Sequence, residues 1–145
     1  MSTVQLVYAS IATFGDGQIE TPGTQREVFN IVRRSRANNP DWGVVGALLF
    51  GDGHFLQVLE GEEDAVDRLL DVLQQDDRHR DLRVLRRATI DEPVFARWSM
   101  KFPTMDERMR EVLGLNLTRT FEPYRLDAER LNRLIALLVD DPELA

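Results

Sequence analysis

A glutamine lies in the middle of a segment that otherwise has the composition of a buried strand. Gln57 stands among apolar neighbours in residues 54–61, which follow a Gly-Asp-Gly turn. A primary amide that loses water without gaining partners costs about 1–3 kcal/mol of stability. Two interpretations follow: either a polar group or a polar ligand lies beside Gln57, or the segment is an edge strand whose glutamine faces solvent.

Tyr8 and Asn39 are the two other side chains that could form a polar site with Gln57. Residues 3–9 are rich in β-forming types and predict a first strand, on which period-two alternation assigns Tyr8 to an apolar face. The same alternation assigns Gln57 to an apolar face of its own strand. Asn39 ends a helical pattern and would border the cleft between these strands and the helix.

The chemistry that such a cleft could support is recognition of a flat ligand. A phenol and two amides would converge between a sheet and two helices, with apolar walls from Ile31 and Leu73. Ligand pockets combine apolar walls with a few convergent polar groups in this way. The combination favours a flat heteroaromatic ligand with donors and acceptors along one edge.

The elements that must position these side chains follow the order βαββαββ. This is the ferredoxin-like split βαβ unit with one added strand, and right-handed crossovers place the first and third strands side by side at the sheet centre. We therefore expect an α+β fold, with a five-stranded mixed sheet and two helices on one of its faces. In chain order the predicted elements are strand 3–9, a helix from a Thr24–Glu27 capping box to Asn38-Asn39-Pro40, strands 43–50 and 54–61, helix 63–75, and strands 82–90 and 98–102.

The pattern changes after Thr104 to two helices, one over 106–113 that Gly114 ends and a longer one that Asp127 caps. Two such helices are too short to form a domain alone, so we expect them to cover either the outer face of the sheet or the seam of a dimer. The chain then divides into residues 1–103 and a helical extension, 104–145. The longer helix has an apolar stripe that must be buried, which predicts a contribution to a homodimer or larger homo-oligomer. The stripe consists of Leu131, Leu134, Ile135 and Leu138.

Composition excludes several partners. A chain of 145 residues can bury a core without metal or disulfide support, and its formal net charge of −7 argues against nucleic acid or an anionic membrane as the main partner. No apolar run approaches the roughly 20 residues of a membrane span, and no signal segment opens the chain. We therefore expect a cytoplasmic protein.

The usual signatures of an enzyme are missing. The chain has no cysteine, which removes disulfides, thiolate catalysis, cysteine zinc sites and a cofactor attached through sulfur. His54 and His79 lack a partner at ligand spacing, so no metal site is predicted. No nucleophile-elbow, P-loop or dinucleotide-binding motif occurs. The chain is therefore not expected to be an enzyme.

Six short stretches carry a family resemblance, and they cover about residues 3–103. In their order and near their spacing they resemble the BLUF family of blue-light receptors, which bind flavin. Six motifs in register are far more specific than one, so the resemblance implies a flavin-binding photosensory domain over residues 1–103. The stretches are 6–10, 35–39, 43–49, 55–61, 77–81 and 98–100.

The resemblance also implies roles for individual residues. Tyr8 matches the tyrosine that gives an electron and then a proton to the excited flavin, and Gln57 matches the glutamine between that tyrosine and the flavin N5/O4 edge. Asn39 matches the asparagine that hydrogen-bonds the flavin carbonyl edge. The remaining matches are Ile31 and Leu73 as the aliphatic sandwich, Asn38, Asp76, Arg78 and His79 around the pyrimidine side, Ser35 near the glutamine, and Trp98 and Met100 as the relay on the last strand.

The implied function is a photoreceptor with noncovalent FAD, or FMN or riboflavin in its place. Rearrangement of the Gln57 hydrogen bonds would give a red-shifted state that is passed to a downstream effector protein. Two alternatives stay open: a flavin-free ferredoxin-like protein-interaction module, and a small hydrolase of the acylphosphatase kind. The second is weak, because no glycine-rich arginine loop follows the first strand.

Overall fold

A computed structural model describes residues 2–15, 21–103, 105, 107–115 and 120–140 of the chain. One sheet of four strands has the order β2-β3-β1-β4, with every neighbouring pair antiparallel. The strands are β1 (Thr3–Ala12), β2 (Val45–Gly51), β3 (His54–Glu62) and β4 (His79–Ile90). The helices are α1 (Pro22–Trp42), α2 (Glu63–Gln74), α3 (Glu107–Val112) and α4 (Ala128–Asp140), and a 3₁₀ turn covers Pro123–Arg125.

The centre of the sheet is the pair β1 and β3, as the split βαβ order predicts. Their register places Tyr8 directly opposite Gln57. Residues on the same face of paired strands lie close enough to touch. The predicted adjacency of the two strands is therefore confirmed, and the edge-strand interpretation of Gln57 is wrong.

Over strands β1, β2 and β3, both faces of the sheet are apolar and both are covered, whereas β4 has no fully buried residue. On one face, Leu6, Tyr8 and Leu59 pack with Val28 of α1 and Val66 of α2. The opposite face carries a second cluster, in which strand residues meet α3, α4 and the segments beside them. Its buried members are Val7, Ala47, Leu49, Leu56, Val58, Phe95, Met109, Leu113, Phe121, Leu131, Leu134, Ile135 and Leu138. The C-terminal helices therefore lie on the outer face, where the sequence predicts them.

The apolar stripe of α4 is buried within the chain itself. Leu134 and Leu138 are fully buried, and Leu131 and Ile135 are at most 8% exposed. This stripe was the reason to expect a homo-oligomer, and the chain's own sheet already covers it. The oligomer stays a prediction without that support.

The fifth strand predicted over residues 98–102 is wrong. A single parallel bridge instead joins Ala47 to Lys101 at the outer edge of β2. Lys101 N donates to Gly46 O at 2.9 Å, and Leu48 N donates to Lys101 O at 2.8 Å. In the residues that the structure describes, the sheet therefore has four antiparallel strands, and the bridge from Ala47 to Lys101 is parallel.

Two features stop the ladder on either side of that bridge. Regular parallel pairing would bond Gly46 N to the carbonyl of Ser99, but Gly46 N donates to Trp98 O at 3.2 Å. The carbonyl of Ser99 turns away and accepts from Asn39 Nδ2 at 2.7 Å. On the other side, Pro103 has no N–H with which to continue the ladder.

Helix α1 is longer at both ends than predicted. It begins at Pro22, where the missing N–H of proline costs nothing, and not at a capping box on Thr24. At the other end it continues through Asn39 and Pro40 to Trp42. Gly43, at φ 69°, stops it, and Val44 N donates to Asn39 O while Gly43 N donates to Pro40 O. Pro40 lies inside the last turn and has no N–H to bond the carbonyl four residues earlier, so the helix loses one hydrogen bond there.

The remaining bounds differ little from the predicted ones. Strand β4 starts at His79, three residues before the predicted start, so His79 belongs to a strand and not to a loop. The predicted cap of α4 is confirmed, since Arg130 N donates to Asp127 Oδ1 at 2.8 Å. Asp106 and residues 141–145 lie outside the described part of the chain. None of the described helices is long and apolar enough to cross a membrane.

Gly46 offers a test of how closely β2 and β3 approach. A Cβ atom there would lie 1.9 Å from the carbonyl oxygen of Val58, whereas a Cβ atom at Gly23 would meet nothing within 4 Å. We expect Gly46→Ala to lower the free energy of unfolding by about 1–3 kcal/mol, because the backbone of β3 must move. Gly23→Ala is the control and should lose nothing, because alanine favours the helix. Urea unfolding of both variants measures this, and equal midpoints would contradict the register.

Candidate functional site

A cavity of about 190 Å³ lies between the inner face of the sheet and helices α1 and α2. It brings together most of the side chains that the sequence singles out. Those that line it are Tyr8, Ile31, Ser35, Asn38, Asn39, Gln57, Leu73, Asp76, Arg78 and His79. Convergence of a phenol, three amides, a carboxylate, a guanidinium and an imidazole in one apolar-walled cavity is the pattern of a ligand site.

The centre of the site is the pair Tyr8 and Gln57, which are 2% and 3% exposed. Tyr8 Oη donates a hydrogen bond to Gln57 Oε1. Burial raises the pKa of the Tyr8 phenol far above its usual range; the charge of Asp76 raises it further, and Arg78 opposes the rise. Tyr8 is therefore a neutral hydrogen-bond donor, and its bond to Gln57 offsets the free-energy cost of burying the hydroxyl.

The other end of the Gln57 amide has a weaker partner. Gln57 Nε2 donates to the thioether sulfur of Met100, with the two atoms 3.6 Å apart. A thioether is a poor acceptor, so this contact satisfies the buried amide less well than an oxygen would. Met100 is itself fixed, because Arg36 Nε donates to its backbone carbonyl at 2.9 Å. The amide is therefore held firmly on its oxygen side and weakly on its nitrogen side.

Asn39 is held at the rim by the helix end that contains it. Its backbone carbonyl accepts from Val44 in the α1 terminus, and its Nδ2 donates to Ser99 O. The side chain is 3% exposed, and no donor among the described residues reaches its Oδ1. A buried acceptor without a partner costs about 1–3 kcal/mol. An N–H on a bound ligand would supply that missing hydrogen bond.

His79 ties the end of α2 to the sheet beside Tyr8. Its Nε2 lies 2.6 Å from Leu73 O, and its Nδ1 lies 2.7 Å from Ser10 Oγ. A carbonyl oxygen can only accept, so Nε2 carries a proton and Ser10 can donate to Nδ1 of a neutral ring. The imidazole is 6.1 Å from the Tyr8 ring, centroid to centroid. His79 therefore positions Leu73 and Tyr8 relative to each other.

Asp76 and Arg78 form a bidentate pair at the cavity mouth. Arg78 Nε lies 3.0 Å from Asp76 Oδ1, and its terminal nitrogen lies 2.5 Å from Oδ2. The hydrogen bond from Arg78 lowers the pKa of the Asp76 carboxyl against the opposing effect of burial, and Asp76 raises the pKa of Arg78. Both groups therefore stay charged, and the pair presents a fixed dipole to the cavity.

Trp98 and Met100, the predicted relay residues, lie outside the cavity lining and belong to opposite sides of the sheet. Met100 is buried with the inner cluster and reaches Gln57. Trp98 packs on the outer side with Phe95, at 6.2 Å between ring centroids. Ser35 lines the cavity, but no hydrogen bond joins it to Gln57 in the described structure. The relay segment therefore passes from one face of the sheet to the other.

Several lining residues escaped the sequence interpretation: Arg34, Trp42, Leu48, Phe55, Leu69 and Val72. Helical spacing could have found most of them. On α1, Ile31, Ser35 and Trp42 repeat at intervals of four and seven, which places them on one face. On α2, Leu69 lies four residues before Leu73. The inward alternation that selects Gln57 likewise selects Phe55.

A second, more open cavity of about 540 Å³ adjoins the first at its mouth and shares Arg34, Val72, Asp76 and Arg78 with it. Ligand sites usually have a volume of about 300–1,000 Å³, so the inner cavity alone suits a ring system and not a whole dinucleotide. Together they suit a flat ring inside with a polar tail outside. Among the described residues, no group of three histidines or carboxylates could hold a metal ion.

Comparison with known proteins gives one family. A family model described as BLUF, sensors of blue-light using FAD, matches residues 3–101. The chain is 30% identical over 110 residues to photoactivated adenylate cyclase subunit beta of Euglena longa, a match that covers 69% of this chain and 13% of that protein. It is 33% identical over 96 residues to photoactivated adenylate cyclase subunit alpha of Euglena gracilis, which covers 60% and 9%. The chain thus spans a small part of these relatives.

Solved structures extend the similarity beyond that region. The photo-activated state of BlsA is 29% identical with a TM-score of 0.85, and the match covers 99% of both chains. The ground state of BlsA gives a TM-score of 0.86 over 99% of this chain and 91% of the other. The dark state of BlrB is 28% identical with a TM-score of 0.68 over 93% and 96%.

The raised pKa of Tyr8 predicts how stability depends on pH. In the unfolded chain the phenol ionises near pH 10, while in the folded chain it stays protonated, so the folded state binds more protons and stability falls as pH rises above about 10. The loss is about 1.4 kcal/mol per pH unit for this one group. We expect Tyr8→Phe to remove that component.

Urea unfolding in the dark between neutral and alkaline pH measures the slope. Tyr124→Phe is the control, because Tyr124 is the chain's other tyrosine and its hydroxyl donates to Asp81 O near the surface. Burial also raises the pKa of Tyr124, but this tyrosine is more exposed than Tyr8, so its removal should reduce the slope less than Tyr8→Phe does. Equal slopes for the wild type and Tyr8→Phe would contradict the buried, neutral phenol.

Proposed function

Because the chain belongs to the BLUF family, sensors of blue light that use FAD, we propose that Tyr8 and Gln57 are its photoactive pair. The protein is a flavin-binding blue-light sensor, and BLUF domains are sensory modules. The observation that carries the assignment of the pair is the buried hydrogen bond from Tyr8 to Gln57, facing a cavity shaped for a flat ring.

The ring would lie between α1 and α2, with Ile31 and Leu73 as its two walls. The free Oδ1 of Asn39 would accept a hydrogen bond from the ring edge, and Asn38 and the Asp76–Arg78 pair would face its polar side. His79 would support the ring indirectly through Leu73. The flavin supplies absorption of blue light and accepts an electron when excited.

Tyr8 is suited to give up an electron and then a proton. Its phenol is neutral in the folded protein, and its proton already points to the Gln57 oxygen. Gln57 is thereby the natural recipient of the proton or of its hydrogen bond. Ser35 would stabilise a changed amide from α1, since it lines the same cavity.

Gln57 is suited to change its hydrogen bonds after that transfer. Its nitrogen is held only by the Met100 thioether, so a move of the amide toward a better acceptor loses little. A net hydrogen bond contributes about 0.5–1.5 kcal/mol, which is small enough for two amide arrangements to compete. A sensor needs two states close in free energy, and a change of partner by this amide would provide them.

We propose residues 1–103 as the photosensory unit and residues 104–145 as the extension that contacts the effector. The relatives of the chain include photoactivated adenylate cyclases, and the solved structures similar to the chain include a bacterial light-regulated adenylyl cyclase. BLUF domains pass signals to effector partners. In this chain the route would run from Gln57 through Met100 and Trp98 to the C-terminal helices, on which an effector or a second copy would act.

Flavin binding is tested by colour and release. The purified chain should carry oxidised flavin, most of it FAD with FMN or riboflavin as the alternatives, and acid or heat should release all of it. Asn39→Ala should weaken binding by about 0.5–1.5 kcal/mol, because it deletes one ligand hydrogen bond. Asn132→Ala is the matched control, since Asn132 bonds Arg86 on the other side of the molecule. A colourless protein that also fails to take up FAD would favour a flavin-free interaction module.

The photoactive pair is tested by two substitutions that leave the cavity walls intact. Tyr8→Phe removes only the hydroxyl, so flavin should remain bound while the light-induced red shift of its absorption disappears. Gln57→Ala should also keep flavin and lose the shifted state, because the rearranging amide is absent. Absorption spectra before and after blue light measure both, with Tyr124→Phe as the control that keeps a normal shift. A normal red shift in Tyr8→Phe would show that another residue reacts.

A further inference from the structure

Lys101 is the only lysine in the chain, and it is buried. Every other long basic side chain is an arginine, and Lys101 is 2% exposed. Lysine is almost never fully buried without partners, because its ammonium is strongly hydrated in water. A buried lysine in a chain that otherwise uses arginine therefore requires an explanation from its contacts.

Within the described part of the chain, the Lys101 ammonium has two partners on the outer side of the sheet. Lys101 Nζ lies 4.1 Å from the centroid of the Trp98 ring, and it donates to the carbonyl oxygen of Val139 at 2.6 Å. Burial lowers the pKa of Lys101, and the nearby charge of Asp140 opposes that change. The side chain thus connects one of the predicted relay residues with the end of α4.

Val139 lies in the last turn of α4, where a cation matters most. The last four carbonyls of a helix lack partners inside it and carry the negative end of its dipole. No basic residue occurs in the last turn of α4. Lys101 supplies from the sheet the positive charge that α4 does not supply for itself.

The backbone of Lys101 connects this contact to the flavin side. The residue before it, Met100, accepts from Gln57 on the inner face, and Ser99 accepts from Asn39. Lys101 itself is bonded to β2 through Gly46 and Leu48. One peptide unit therefore separates a contact of the photoactive amide from the contact that holds α4.

We propose that Lys101 is the positioning residue that transmits the state of Gln57 to the C-terminal turn of α4. The inference rests on the proposed function of Gln57. When the Gln57 amide changes partner, Met100 loses its hydrogen bond and the irregular segment 98–101 shifts. The Lys101 ammonium then leaves Val139, and the last turn of α4 opens to a partner protein.

The single lysine allows a direct test on the unchanged protein. Lysine labelled with carbon-13 at the ε position gives one side-chain resonance in flavin-loaded protein. We expect that resonance to move on blue light and to return in the dark, and to stay fixed in Tyr8→Phe. A resonance that does not move while the red shift forms normally would overturn the role of Lys101. Absence of the red shift in the wild type would instead contradict the proposed function.

A substitution tests whether the contact controls the helix. Lys101→Met keeps the length of the side chain and removes its charge, and it should leave flavin binding and the red shift intact. In the dark, backbone hydrogen exchange in the last turn of α4 should be about tenfold faster than in the wild type, and light should change it no further. Lys101→Arg should restore part of the protection.

The control is Arg133→Met, which removes a cation that pairs with Glu129 on the exposed face of α4. The Arg133→Met variant should show the same slow hydrogen exchange at the end of α4 in the dark as the wild type, and the same faster exchange in light. If Lys101→Met protects the end of α4 as well as the wild type does and still responds to light, another contact transmits the signal. The inference would then be wrong even though the protein remains a photoreceptor.

Discussion

The hydrogen bond between Tyr8 and Gln57 is the constraint on which the arrangement of the inner face depends. A phenol and a primary amide are buried there together, and each would be costly without the other. Their pairing requires β1 and β3 to be neighbours in one register, which a split βαβ order provides. It also requires α1 and α2 to exclude water, which they do by packing on the same face. The result is a cavity with one strongly held amide end and one weakly held end.

The irregular segment after Phe95 matters because it is not a strand. In a regular ladder the carbonyl of Ser99 would accept from Gly46 of β2 and would be unavailable to side chains. Here Asn39 takes that carbonyl, Arg36 donates to the carbonyl of Met100, and the Met100 side chain reaches Gln57. Between the backbone bonds of Trp98 and Lys101 to β2, Ser99 and Met100 are held by single side-chain contacts, so this part of the segment can shift without breaking the four-stranded sheet. A small change in the Gln57 amide can therefore be transmitted out of the site through this segment.

The C-terminal helices pack on the outer face of the sheet, so a shift of the segment after Phe95 reaches them. The outer cluster contains residues of strands β1, β2 and β3 and of helices α3 and α4. Any movement of residues 98–101 therefore displaces packed side chains rather than water. Glu60 contributes here as a buried carboxylate: it accepts from Phe95 N at 2.8 Å and from Gln5 Nε2 at 2.9 Å, which fixes the start of the segment. The fixed start and the weakly bonded middle together define where the chain can move.

The sequence alone determined the order of the first six elements, the pairing of β1 with β3 and the position of Tyr8 and Gln57 on one face, because alternation and crossover rules are local or nearly so. It also placed Asn39 at the cavity rim, although α1 continues past Pro40 and ends only where Gly43 adopts a left-handed conformation. Only the tertiary structure decided that residues 98–102 form a single bridge, since that depends on which carbonyl Asn39 captures. The partner of Lys101 could not be predicted from the sequence either, because a contact between an edge segment and the last turn of α4 produces no periodic pattern in the sequence.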